Sequence, residues 1–358
     1  MAKSIYEIFD SKAIAAYWTD VNAHMNDAYI GTQFFPVAKQ TGLDLAWIKG
    51  KNNLPIALQP SAFDAKATLR DRIGVAELST EMPFFREAMK IGEKDRQNIE
   101  TLLAKGEQFA QPTIARIFDD IANLVEGGRV QAERMRMMLL AGGNIEITAT
   151  GETGRDVNYT YKYDADGEFE QKNVKTLTAD AKWSAHGTSK PIEDLLEAKE
   201  YMAETFGVQC TRVLLNSTTL KDMLASESIA KAMNPVGHEN AFASKTQRQA
   251  FVEQETGLTF IVYDKMFKNE QGTDIKFFPN GIVTLLPNYT LGNTWYGTTP
   301  EEFDLMSGSE AAVSVVDTGI AITTLKEAHP VNVKTIVSEI VLPSFERMAD
   351  IYVIKANV

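Results

Sequence analysis

The sequence predicts an α+β fold with more than one compact region, and three observations carry that reading. One long amphipathic helix is written into residues 113–141, an alternating strand pair follows it at once, and residues 191–325 interleave helix and strand periods. At roughly 150 residues per domain, a chain of 358 residues is material for about two domains with buried cores.

Composition removes several classes. Hydrophobic residues make up 44% and charged residues 23%, the balance of a folded globular protein. No stretch reaches the ~18 uncharged apolar residues of a membrane span. The opening Met1-Ala2-Lys3-Ser4-Ile5-Tyr6-Glu7 has no secretory apolar run, with charges at Glu7, Asp10 and Lys12, so no export is expected. Lys and Arg total 36 against 48 Asp and Glu, a net charge of −12 with a pI of about 5.0. Such a chain is poorly suited to gripping nucleic acid through phosphates, though it can still enclose DNA. Cys210 is the single cysteine, which excludes an intrachain disulfide and a thiolate-rich metal site and fits a reducing cytoplasm.

Residues 1–50 carry apolar clusters (Ile14, Ala15, Tyr17, Trp18; Phe34, Phe35) without a sustained period, and read as an arm with a short helix near 11–30. Residues 51–82 are punctuated by Pro55, Pro60 and Gly74 around β-compatible runs, which predicts a long extended hairpin with its tip near Asp64 to Asp71. Ile114, Ile117, Phe118, Ile121, Leu124, Val125, Gly128, Ala132, Met135 and Leu139 then recur at steps of three and four. That face marks one helix of roughly 39 Å over about 26 residues, with Pro112 in its first turn and Gly142-Gly143 as its stop. Gly127-Gly128 inside it predicts a bend or a close backbone approach.

Asn144 to Thr150 and Asp156 to Tyr163 alternate around Gly151-Glu152-Thr153-Gly154 as a β-hairpin. From Pro191 a helix runs to Gly207, a strand covers Cys210 to Leu215, Ser217 caps a helix through Ala225, and a helix near Gln247 to Gln254 precedes a strand Thr259 to Tyr263. Strands at 275–278, 282–286, 311–316, 331–342 and 350–355 complete the chain. The last of them, in 326–358, are expected to return to the first domain, since no helices remain to cover them.

Catalytic signatures are missing. No phosphate-cradling glycine motif and no nucleophile elbow occurs, so no catalytic, cofactor-binding or metal-binding residue is assigned and no cofactor is expected. His24, His186, His238 and His329 are scattered, and His238-Glu239 lacks a second His where Phe242 stands. Asp164-Ala165-Asp166-Gly167-Glu168 has calcium-loop oxygens but Phe169 and Lys175 at decisive positions, so a hairpin turn is the better reading. Cys210 reads as a small buried hydrophobe. Arg129, Arg134 and Arg136 alternate with Glu126 and Glu133 as a solvated, salt-bridged face more readily than as a polyanion contact. Met135, Met137 and Met138 read as packing residues. The sequons at Asn158, Asn216 and Asn288 are chance matches without a secretory route.

An arm, an extended hairpin, a long helix with its strand pair, an α/β insertion and returning strands resemble the major capsid proteins of tailed bacteriophages, and specifically the lambda-like major capsid protein E family. The local likenesses are Met138-Leu139-Leu140-Ala141-Gly142-Gly143-Asn144-Ile145-Glu146-Ile147-Thr148, Phe277-Phe278-Pro279-Asn280-Gly281-Ile282-Val283 leading to Leu291-Gly292-Asn293-Thr294, and Ser338-Glu339-Ile340-Val341-Leu342-Pro343 before Asp350-Ile351-Tyr352-Val353-Ile354. Their order and spacing cover nearly the whole chain.

That resemblance implies the Hong Kong 97-type fold: an N-terminal arm at 1–50, an extended loop (E-loop) at 51–82, a P-domain at 83–190 with spine helix 113–141, an A-domain at 191–325, and C-terminal strands at 326–358 returning to the P-domain. It implies a structural protein, not an enzyme, that self-assembles as pentamers and hexamers into an icosahedral virion shell around double-stranded DNA, without sequence-specific DNA binding and without a membrane. It further implies assembly in the host cytoplasm, a separate scaffold protein, a portal and sometimes a decoration protein. Some relatives crosslink a Lys to an Asn of a neighbour; Lys66 lies in the extended-loop stretch, where an ordinary exposed lysine is the commoner reading. The alternatives are an encapsulin-like nanocompartment shell and, from another class, a soluble α/β enzyme built on 191–325.

Overall fold

A computed structural model describes residues 5–24, 29–49, 76–150, 156–234, 243–307, 312–328 and 331–358. Helices α1 (Ile5–Ile8) and α2 (Ser11–His24) open the chain, before strands β1 (Val37–Lys39), β2 (Asp44–Lys49), β3 (Ala76–Glu81) and β4 (Phe84–Lys90). Helices α3 (Glu93–Lys105) and α4 (Glu107–Gly142) lead to β5 (Asn144–Thr150), β6 (Asp156–Lys162), α5 (Glu168–Asn173) and β7 (Val174–Thr176). An alternating stretch follows: α6 (Pro191–Tyr201), β8 (Cys210–Leu215), α7 (Ser217–Leu224), α8 (Glu227–Met233), α9 (Lys245–Thr256) and β9 (Thr259–Val262). The rest is mostly strand, with β10 (Met266–Lys268), β11 (Asp274–Lys276), β12 (Ile282–Pro287), β13 (Thr294–Tyr296), α10 (Pro300–Ser307), β14 (Ala312–Val316), β15 (Ile320–Ala328), β16 (Val331–Pro343) and β17 (Tyr352–Lys355). The hairpin tip expected at 64–71, and Lys66 with it, lies outside the described residues.

The long helix is longer than its periodicity suggests. It runs for 36 residues, about 54 Å at 1.5 Å per residue, and starts at Glu107, so Pro112 sits inside it rather than at its first turn. Pro112 removes one backbone bond on an exposed turn, a loss that a helix of this length absorbs. Gly106, with a φ of +132°, separates α3 from α4 in a conformation that favours glycine. At the other end Gly143 has a φ of +71° and its N–H closes on the Leu139 carbonyl at 2.8 Å, the expected stop.

The described residues form two compact units, the first drawn from 1–46, 79–136 and 292–344. Its centre is β16, whose 13 residues pair antiparallel with β15, with β4 and with β13. Strand β14 extends the sheet beyond β15, and β1 joins β13 in parallel. The apolar face of α4 supplies buried Ile114, Ile117, Ile121, Val125, Ala132 and Met135.

The N-terminal segment carries the expected short helix, α2, and packs into the first unit. Phe9, Ile14 and Trp18 are buried, Phe9 and Tyr17 both pack on the Phe118 ring of α4, and Ser11 meets Ser314 of β14 at 3.1 Å. Ile14 and Trp18 are four residues apart on one helical face, and Phe34 and Phe35 add a second buried anchor, so this segment has its core in its own chain.

The second unit comprises 47–78, 137–291 and 345–358. A five-stranded sheet in the order β7-β17-β12-β8-β9 carries α6, α7, α8 and α9 around a core that includes Trp183, Leu195, Met202, Val213, Val252 and Val283. Strands β5 and β6 pair in register from Asn144↔Lys162 to Thr150↔Asp156. Asn216, not Ser217, caps α7, accepting the Thr219 N–H at 2.9 Å, and Ser244 with Gln247 forms a capping box on α9.

Two placements differ from the segment boundaries read in the sequence. Strands β13, β14 and β15 belong to the first unit, so the chain leaves the α/β stretch at Gly292 and not near 325. β14 and β15 form an antiparallel hairpin whose free edge satisfies its backbone only beside β16. Conversely β17 joins the second unit, pairing antiparallel with β12 and parallel with β7, where its neighbours supply partners on both edges.

Candidate functional site

With no chemical site assigned from the sequence, the informative groups are polar side chains that are buried and apolar ones that are not. In the first unit Glu133 of α4 is fully buried and bridges two elements: its Oε1 accepts the Gly31 N–H at 3.0 Å and its Oε2 accepts Arg136 Nη1 at 3.3 Å. Arg136 Nε donates to Thr294 Oγ1 at 2.8 Å, and the Thr294 hydroxyl donates to the Phe35 carbonyl at 3.0 Å. The helix is thereby bolted to the segment before β1 and to β13 through charge-assisted bonds in a dry environment.

This corrects the solvated-face reading of the arginines. Arg136 is buried among its own chain's acceptors because an (i, i+3) carboxylate and a threonine compensate its charge there. Arg129 is half-buried: Nη1 donates to Asn22 Oδ1 at 2.7 Å, Asp317 stands 3.7 Å from Nε, and the guanidinium lies 5.8 Å from the Trp18 ring and 5.5 Å from the Tyr29 ring. Burial, seconded by the hydrogen bond to Glu126, pushes the Tyr29 phenol above its ordinary range. Arg134 is likewise half-buried.

In the second unit Cys210 is buried in β8, and burial pushes its thiol up to about 12, which suppresses the reactive thiolate. His186 Nε2 lies 3.6 Å from Asp222 Oδ1 at a half-open surface. His24 ends α2, while His238, Glu239, Phe242 and His329 lie outside the described residues. The Asp164 loop is a helix start, not the expected hairpin turn: Oδ1 and Oδ2 accept the Phe169 and Glu170 N–H groups at 2.9 Å each, satisfying the first turn of α5. Asn216 is buried and donates to the Phe278 carbonyl and Asn280 Oδ1, so its sequon is inaccessible.

Met135 and Met137 are fully buried packing residues and Met138 is half-buried. Among the described residues no three His, Cys, Asp or Glu side chains are grouped to hold a metal ion, and no helix is long and apolar enough to cross a membrane. Large apolar side chains nevertheless stand out in solvent. Phe109 is 55% exposed and Phe303 66% in the first unit, and Met266 is 53% exposed in the second. Such side chains gain by being covered.

The sequence profile of phage major capsid protein E matches residues 10–356, almost the entire chain. The chain belongs to the phage major capsid protein E family. It is a structural protein of the capsid shell, a virion component that associates with its own kind, and its fold is the α+β Hong Kong 97-type capsid fold. Two solved structures are similar over their full lengths. A prophage protein of E. coli CFT073 assigned as a capsid protein has 13% identity and a TM-score of 0.57, with 97% of this chain and 99% of that one covered. A phage-related protein of Bordetella bronchiseptica RB50 has 13% identity and a TM-score of 0.53, with 98% of each chain covered. No curated protein matches the chain.

Proposed function

We propose that this capsid protein assembles as pentamers and hexamers into an icosahedral shell around phage double-stranded DNA, without enzymatic activity of its own. The observation that carries the reading is the family match across residues 10–356. Exposed Phe109, Phe303 and Met266 suit contacts between copies. A net charge of −12 suits a wall that must hold DNA without gripping it, because few phosphate contacts mean little resistance to packaging and ejection.

Within this reading residues 1–50 serve as the N-terminal arm, 51–82 as the extended loop, 83–190 with the returning strands as the P-domain and 191–325 as the A-domain. The sheet partners of β13, β14 and β15 support counting the returning strands of the P-domain from Gly292. Assembly takes place in the host cytoplasm, with a scaffold protein, a portal and a decoration protein as further partners. The test is the content of nuclease-treated native particles. Protected double-stranded DNA is the expected result, whereas a protein cargo in nucleic-acid-free shells would replace this reading with the encapsulin-like one.

A further inference from the structure

Three glutamates are buried among the described residues of the first unit, and two of them are compensated. Glu133 has the Gly31 N–H and Arg136, while Glu301 accepts the Ser338 hydroxyl at 2.9 Å and stands 2.7 Å from Arg86. Glu339 of β16 is the exception. It is 2% exposed, and neither carboxyl oxygen has a hydrogen-bond partner among the described residues. An ionised carboxylate in that condition carries a penalty that the fold avoids by keeping the proton on.

The position of this group gives the proton a structural meaning. A Cβ built on Gly128 of α4 would lie 3.0 Å from Glu339 Oε2 and 3.1 Å from Ile320 Cδ1, so the acid presses on bare helix backbone where no side chain intervenes. The groups facing it offer little to an anion. On α4, Arg136 is committed to Glu133 and Thr294, and Arg129 to Asn22 and Asp317. On β13 stands the buried Tyr296 phenol, on β15 Ile320, and on β4 Phe85 is the strand partner.

We propose that Glu339 is a proton-operated seat for the long helix: as a neutral acid it packs against Gly128, and on losing its proton it draws water into the contact and loosens α4 from β16. The inference rests on the fold alone, independently of shell assembly. Burial holds the Glu339 carboxyl well above the usual carboxylate range, with the Arg136 charge opposing. Because the folded form holds its proton more tightly than the unfolded chain, stability is full under acidic conditions and declines as pH rises above the ordinary carboxylate range toward the folded value.

The test compares the full-length chain with Glu339→Gln, which keeps the shape and cannot ionise. Melting temperature is followed from about pH 5 to about pH 9, together with amide-exchange protection over residues 124–132, taken relative to the intrinsic exchange rate at each pH, and the infrared carbonyl band of a protonated acid. The wild-type melting temperature is expected to fall relative to the variant as pH rises, with protection lost in that helical segment of the wild type only and an acid band at neutral pH that the variant lacks. Parallel melting profiles, or protection at 124–132 that does not change with pH, would overturn the proposal. Should the variant fail to fold, the wild type decides alone: an acid band that fades as protection at 124–132 falls supports the seat, and absence of that band at neutral pH refutes it.

Discussion

A Cβ placed on Gly31 would overlap one carboxylate oxygen of Glu133, whose other oxygen accepts the Gly31 N–H at 3.0 Å. The small residue and the buried charge therefore require each other. Gly31→Ala should cost about 1–3 kcal/mol through overpacking. Glu133→Ala should cost about 3–5 kcal/mol, because it strands the buried Arg136. Urea unfolding of the full-length chain measures both, and a change under ~0.5 kcal/mol for Glu133→Ala would dismiss the bolt between α4 and the Gly31 segment.

The burial of Phe9, Ile14 and Trp18 changes what a truncation should do. Read as a projecting arm, residues 1–30 would be removable without loss of the fold; as placed here they contribute Phe9, Ile14, Trp18 and Tyr29 to the first unit. At about 1.5–3 kcal/mol for each buried side chain, their loss rivals the entire stability of a typical domain. The truncated chain is expected to be insoluble or to lose cooperative unfolding. A soluble, cooperatively melting product would show that these contacts are dispensable.

Ile121 is buried at the middle of α4, and a proline there removes a backbone bond and clashes with the preceding turn. The cost is about 3 kcal/mol or more, and soluble expression should collapse. Exposed Asp120→Ala, one residue away, is the control that should express normally.

Cys210 gives a pH test in the second unit. With its thiol pushed up to about 12 from an ordinary value of 9.0, the folded form stays protonated where the unfolded chain ionises. Its contribution to stability is therefore intact below that ordinary value and is lost as pH climbs toward the folded one. A thiol reagent at mildly alkaline pH should react slowly with native protein and rapidly in urea. Equal rates would place the sulfur at the surface.

How much of this was legible in the sequence depended on how local the signal was. The i, i+3, i+4 recurrence from Ile114 to Leu139, the alternation across Gly151 to Gly154, and the strand Cys210–Leu215 all return as α4, the β5–β6 pair and β8. Each is fixed by its own residues' period. The fates of β14, β15 and β17 were not legible, because alternation says which face of a strand is buried and not which sheet supplies its partner. Arg136 looked solvated for a similar reason: its compensating groups, Glu133 and Thr294, include one 158 positions away in sequence. The short helix read near 11–30 returns as α2, but a few turns of helical spacing do not say that Ile14 and Trp18 are buried within their own chain.

Negative-stain electron microscopy with sedimentation, on the full-length protein expressed alone and with a candidate scaffold protein, decides whether the chain builds a shell. Closed or partial shells, tubes, or discrete pentamers and hexamers are expected. A compact monomer or dimer under both conditions would rule the shell out.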